Sequence, residues 1–279
     1  MKSYDKSLIA DLEAKANYLR RQSLAMIYHR QAGHPGGCLS AADIVAALYF
    51  NILRIDPARP VWEDRDRFIL SKGHASALLY SALACRGYFP ESDLEHWGEL
   101  ACHLQGHPDR LKTPGVDMTS GILGHGIAIG LGLSLAARLQ KRDYHTYVLL
   151  GDGECQGGIV WEGINACAKF NPGNLTAIVD YNDVQLDGAV HDIMPMEPFA
   201  DKWRAFRWEV INIGGHDMRA ILSAIEEAKS IKQRPVVIIA RTVKGKGVSF
   251  MENKAQWHGI PPDKEQYEAA IAELTGEGG

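Results

Sequence analysis

The chain has 279 residues, a formal net charge of −4 and 46 % hydrophobic residues. That length can bury a sizeable core in one α/β domain spanning 1–279, and the near-balanced charge excludes the basic footprint that nucleic acid or an anionic membrane would require. Five cysteines, Cys38, Cys85, Cys102, Cys155 and Cys167, form no CxxC pair, which points to free thiols in a reducing, cytoplasmic setting.

The N-terminal stretch MKSYDKSLIADLEAK mixes acidic and basic residues without an apolar h-region, so it does not read as a secretory signal. Residues 7–31 are predicted to form an amphipathic helix, with Leu8, Leu12, Leu19, Leu24 and Ile27 spaced for one buried face. The run Ala32-Gly33-His34-Pro35-Gly36-Gly37 ends it and leaves His34 on a loop. Ser40, with Asp43 three residues on, reads as the N-cap of a second helix through Phe50. Phe68 to Leu70 is a short strand running into Ser71-Lys72-Gly73-His74-Ala75, and Leu104-Gln105-Gly106-His107-Pro108 repeats the Gly-His pair in a third loop. Imidazoles released on such loops can donate to phosphate or sugar oxygens and move protons near neutral pH. Cys102-His103 with His107 lacks the second ligand pair that zinc spacing needs. Gly121 to Leu139 is apolar, but its glycines, His125 and Ser134 favour a packed core or interface helix over a membrane span.

Residues 144–188 carry the densest signal. Tyr147 to Leu150 and Leu175 to Val179 are apolar runs that stop at Gly151-Asp152-Gly153 and Asp180-Tyr181-Asn182, with a helix predicted over Ile159 to Phe170 between them. A strand–helix–strand unit makes the two strands parallel and brings their ends to the side where α/β sheets bind ligands. The Asp152 carboxylate, the Asn182 amide oxygen and a carbonyl from about Val184 form a hard oxygen set suited to Mg²⁺ or Ca²⁺. Gly151, Gly153, Gly157 and Gly158 allow backbone N–H groups and the next helix N-terminus to approach an anion, so a metal-bridged diphosphate is the expected guest. The remainder is scaffold: strands over Trp208–Ile213 and Pro235–Ala240, a helix over Asp217–Ser230, and a polar helix over Lys264–Leu274 before a frayed Gly-Glu-Gly-Gly. The whole reads as a doubly wound α/β domain with a mainly parallel sheet.

GDGE at 151–154 followed by VDYN at 179–182 resembles the thiamine-diphosphate motif. With GHPGG around His34, SKGHASALLY around His74, QGHPD around His107, TSGILGHG at 119–126, KGKGVSF at 244–250 and WHG at 257–259, the chain resembles the cofactor-binding N-terminal half of transketolases. The resemblance implies that His74, Gly121, Ile122, Leu123, Gly153, Glu154 and Asn182 line thiamine diphosphate, and that Asp152, Asn182 and the Val184 carbonyl hold the metal. It implies that His34, His107 and His258, with His74, face the reacting carbons and diphosphate, and that Lys244 lies in a basic glycine loop at the entrance.

Ile122 and His125 depart from the Pro or Ser and the Gln expected there, and Gly157 stands where many transketolases carry Glu. The Gly157-Gly158 pair is closer to deoxyxylulose phosphate synthases. In transketolases with that Glu, it belongs to a chain of acidic groups between the two cofactors; the plainer alternative is that Gly157 permits a tight turn at positive φ. The family's pyrimidine-binding and C-terminal domains are expected on a separate subunit, making this the N-terminal subunit of a split transketolase. Two chains of each kind would then transfer a two-carbon ketol unit between sugar phosphates. The alternatives are the diphosphate-binding subunit of a 2-oxoacid dehydrogenase or deoxyxylulose phosphate synthase-like enzyme, and a non-catalytic cofactor-binding subunit.

Overall fold

The computed structural model describes residues 4–276; residues 1–3, and 277–279 of the end expected to fray, lie outside the described residues. In chain order the helices are α1 (Lys6–Arg30), α2 (Pro35–Ala47), α3 (Ser76–Cys85), α4 (Gly126–Leu139), α5 (Gly158–Phe170), α6 (Val190–Ile193), α7 (Phe199–Ala205), α8 (Met218–Ser230) and α9 (Lys264–Thr275). The strands are β1 (Arg67–Leu70), β2 (Thr146–Gly151), β3 (Leu175–Tyr181), β4 (Glu209–Gly214) and β5 (Val236–Arg241), in the order β1-β2-β3-β5-β4 with every pairing parallel.

The strands are continuous apolar runs because both sheet faces are covered. Tyr147, Leu149, Ile178 and Ile238 point into one layer with α1, α2, α3 and α8, whereas Val148, Leu150, Ala177, Val179, Val237 and Ile239 point into the other with α4, α5 and α7. This period of two across three layers is the doubly wound architecture expected from the sequence. A smaller cluster of Leu24, Leu39, Val248, Met251, Trp257, Ala270 and Leu274 pins the segment after β5 and α9 onto α1 and α2. That cluster fixes the loops carrying Lys244 and His258.

Local signals account for several helix ends. Asp5 caps α1 through Ser7 N–H at 3.0 Å, Asp217 caps α8, and Asp263 with Gln266 forms a capping box on α9. The expected start of the second helix at Ser40 is overturned. α2 begins at Pro35, whose fixed φ and missing N–H suit the first helical position, and Ser40 lies inside the helix. The Ser40 hydroxyl donates to Asp180, and Asp43 pairs with Arg20, so both polar side chains serve tertiary contacts. Pro35–Ile52 is long and apolar enough to cross a membrane by composition, yet 83 % of it is buried inside the protein as a core helix. Of the apolar stretch 121–139 only Gly126–Leu139 is helical, as α4 on the sheet.

Candidate active site

β1, β2, β3 and β5 all point the same way, so the turns after Leu70, Gly151, Tyr181 and Arg241 gather at one end of the sheet. They enclose a cavity of about 220 Å³ lined by His74, Leu123, Asp152, Gly153, Glu154, Asn182, Val184, Lys244 and His258, all expected from the sequence. Gly121, Ile122 and His107 line an adjoining hollow of about 390 Å³ instead. His34 closes the group from α2's N-cap position: the His34, His74 and His258 rings form a triangle with centroids 5.0, 5.2 and 5.4 Å apart. Gly151 lines the cavity, while Gly157 and Gly158 are exposed outside it.

The three oxygen donors meet as the strand ends predict. Asp152 accepts the N–H groups of Gly153, at 2.8 Å, and Asp183, and Asn182 Oδ1 accepts the Val184 N–H at 3.2 Å. Burial, and then the nearby Asp180 carboxylate, push Asp152 up to about 6, as befits a carboxylate short of a counter-charge. The Lys244 ammonium donates to the Val184 carbonyl at 2.8 Å, so a cation already sits on one of these oxygens. The donor set therefore suits a divalent cation, which the Asp152 carboxylate, Asn182 Oδ1 and the Val184 carbonyl could hold.

Electrostatics keep the histidines neutral. Burial drives His258 down to about 3, aided by Lys244, His34 and Lys72; burial, then Lys72 and the neighbouring imidazoles, hold His74 well below its ordinary value, and burial with His107 and Lys244 lowers His34. Lys244 also donates to His258 Nδ1 at 2.8 Å, which leaves the imidazole proton on Nε2. Lys244 itself is brought down to about 8 by burial and Lys72, against the pull of Asp152 and Asp180.

A buried network that sequence reasoning missed sets the geometry. Asp180, on β3, accepts from Lys72, Ser40, Thr242 and the Asn182 amide Nδ2, the last at 3.3 Å, which turns Asn182 Oδ1 toward the cavity. Burial opposes the Asp180 charge, but Lys72 and the hydroxyls outweigh it and hold the carboxyl below its usual range. Lys72 also donates to Gly37 O at 2.8 Å, tying β1 to α2. A charged residue inside an otherwise apolar strand, two positions before Asn182, was the available signal. His216 steadies the opposite wall in a similar way. It is bonded through Nδ1 to Asp43 at 2.7 Å and accepts the Val243 N–H at 2.8 Å, fixing the residue before Lys244.

Glu154 lines the cavity, yet its oxygens are engaged within the protein. Oε1 accepts from Gly124 N–H at 2.6 Å and from the Ser71 hydroxyl, and Oε2 from Gly151 N–H at 3.1 Å. Gly73 is required by close approach, since a Cβ there would lie 2.6 Å from Ser120 Oγ and 2.8 Å from Gly121 N. Gly157 is not: its φ is −72°, and a Cβ would meet Glu154 O at 3.4 Å, so the alternative of a tight turn at positive φ is overturned.

The family description "Transketolase, thiamine diphosphate binding domain" matches residues 12–276. The chain is 42 % identical over 268 residues, 96 % of this chain and 98 % of the other, to a 6-deoxy-6-sulfo-D-fructose transketolase subunit of Clostridium sp. (strain MSTE9). It is 38 % identical to one of the subunits of the apulose-4-phosphate transketolase of Phocaeicola vulgatus, covering 96 % of this chain and 95 % of that one. A transketolase structure from Campylobacter jejuni superposes with a TM-score of 0.90 at 34 % identity, over 96 % of this chain and 43 % of that protein, so the chain spans about two fifths of such full-length structures. With cavity, donors and histidines in agreement, the chain belongs to the transketolase family as a thiamine-diphosphate-binding domain.

Proposed function

We propose that this chain is the diphosphate-binding subunit of a thiamine-diphosphate-dependent transketolase and works with a partner subunit carrying the pyrimidine domain. The observation that carries the reading is one cavity holding three oxygen donors, the Lys244 ammonium and neutral histidines at the ends of adjacent parallel strands. Asp152, Asn182 and the Val184 carbonyl would hold Mg²⁺, with Lys244 and His74 facing the diphosphate. When bound, thiamine diphosphate would supply the nucleophilic carbon that ketol transfer requires.

This chain's own residues bind, orient and exchange protons. His258, fixed by Lys244 with its proton on Nε2, can donate to a substrate oxygen; His34 and His74, neutral, can each donate one N–H and accept one proton. Leu123 and Leu186 supply an apolar part of the wall. Ile122, 76 % exposed in the adjoining hollow, and Leu123, 44 % exposed in the cavity wall, are apolar side chains that a docking partner would cover. Five unpaired thiols suit a reducing, cytoplasmic setting.

The names of the two relatives describe sugars bearing a sulfonate or a phosphate. The substrate of this chain is accordingly a ketose with an anionic group, handled as a two-carbon donor or acceptor, in an assembly of two chains of each kind. Ketol transfer from xylulose 5-phosphate and from 6-deoxy-6-sulfofructose, measured with the chain alone and after mixing with its partner subunit, tests this. The chain alone is expected to be inactive and the mixture active. Robust turnover by the chain alone would refute the split arrangement, and oxidative decarboxylation of a 2-oxoacid by the mixture would favour a dehydrogenase.

A further inference from the structure

A cavity larger than the diphosphate site lies elsewhere on the sheet. This hollow of about 570 Å³ sits beside the amino end of the edge strand β1, at the opposite end of that strand from Ser71 and Lys72. Its size falls within the range of small-molecule sites. One wall is the approach to β1 with Arg65 and Arg67, the second is the loop carrying Arg110 and Lys112, and the floor is Leu133 and Tyr144.

Charge is unevenly placed here. The lining carboxylate of Glu63 is paired with Arg142, which lies outside the lining, leaving Asp117 to face four cations. Asp117 is already committed: one oxygen accepts the Phe68 N–H at 2.9 Å, and the other meets Arg65 at 2.6 Å and Arg67 at 3.8 Å. Arg67 is spent on structure, donating to the Arg65 and Glu63 carbonyls and covering the Tyr144 ring at 4.3 Å. Arg65 donates through Nε to Pro60 O and through Nη1 to Asp117, and its Nη2 has no partner among the described residues. The side chains of Arg110 and Lys112 make no hydrogen bond or ion pair among the described residues either, although both line the same hollow. Burial and repulsion from Arg65 lower Arg67, which agrees with an excess of positive charge in this concavity.

Arg110, Lys112 and the free Nη2 of Arg65 thus bring uncommitted donors of one sign to a concave space, an arrangement that attracts an anion. We propose that this hollow is a second ligand site, distinct from the cofactor cavity, that takes a small phosphorylated metabolite. Its phosphate is held by Arg110, Lys112 and Arg65 Nη2, and its uncharged portion rests on Leu133 and Ala136. Arginine suits this use because its planar donors match phosphate oxygens.

Calorimetric titration of the full chain with glucose 6-phosphate, inorganic phosphate and glucose tests the proposal. The double variant Arg110→Ala/Lys112→Ala assigns the site; both residues are exposed, and circular dichroism checks that the fold persists. Lys244→Ala reports on the cofactor cavity, where phosphate could also bind. Glucose 6-phosphate is expected to bind saturably and more tightly than inorganic phosphate, with no heat from glucose. The double variant is expected to weaken binding at least about tenfold, while Lys244→Ala leaves it in place. Binding lost in Lys244→Ala and kept in the double variant would assign the phosphate to the cofactor cavity and overturn the proposal. Absence of saturable binding, or equal affinity for inorganic phosphate, would overturn the metabolite site as well.

Discussion

Asp152 holds two backbone N–H groups and still stands out as a buried carboxylate raised to about 6. A divalent cation would supply the missing positive charge, so Asp152→Ala should abolish metal-dependent cofactor binding while sparing the fold. At a hundredfold excess of cofactor over its dissociation constant, a competent protein gains about 2.7 kcal/mol of stability. Assembled wild type should therefore melt higher with Mg²⁺ and thiamine diphosphate, and the variant should not; equal shifts in both would remove Asp152 from the metal site. That Asp152, Asn182 and Val184 line one cavity was legible in the sequence because their placement follows from parallel strands ending side by side. Lys72 and Asp180 were not, because their importance lies in a contact between positions 108 residues apart. Losing one member of such a buried pair leaves the other charge uncompensated, at a cost of about 3–5 kcal/mol.

Among the elements, strands were read best, because apolar runs ended by Gly-Asp-Gly or Asp-Tyr-Asn have few other solutions in a two-sided sheet. α2 was misread at its start because Ser40 mimics an N-cap; Pro35 at the first helical position was the stronger signal. The glycines after it lie inside the helix, where Gly36 allows Lys244 to approach: a Cβ there would be 2.9 Å from Lys244 Cγ. The junction of β2 and β3 carries a titrating group. His145 lies buried just before β2, shares a 2.9 Å hydrogen bond with Thr176 on β3, and is driven down to about 3 by burial, with Lys229 and Lys232 adding to the effect. Its folded value is below its unfolded value of about 6.5, so the folded chain keeps it neutral while the unfolded chain takes up a proton. Its contribution is thus intact above about pH 6.5 and declines as pH falls toward 3, by up to about 1.4 kcal/mol per unit. The lowered site histidines act in the same direction, so the check is a difference: between pH 6 and 4 the stability of His145→Gln, from urea melts, should fall less steeply than that of wild type. Parallel slopes would contradict the assignment.

For the whole molecule, one of the three positions at which this chain departs from the transketolase pattern is Gly157, exposed and in an ordinary conformation that accepts a side chain. A glycine cannot hold a proton, so a relay of acidic groups between two cofactors would lack a member here. In the assembled enzyme the two sites are therefore expected to bind cofactor nearly independently, and Gly157→Glu should alter that cooperativity more than turnover. Calorimetric cofactor titration of both proteins decides it, with half-of-sites binding in wild type as the contrary result. Glu154 carries a different consequence, for the order in which the molecule folds. Its carboxylate joins Ser71, Gly124 and Gly151, and the Ser71 bond closes a separation of 83 residues, so it cannot form until β1 and β2 have paired and the chain before α4 has docked. The cofactor cavity is accordingly expected to form late in folding, after the transition state. Glu154→Gln should steepen loss of the native state by raising the unfolding rate while the refolding rate stays near that of wild type, and stopped-flow kinetics in urea would show the reverse if the cavity were part of the folding nucleus.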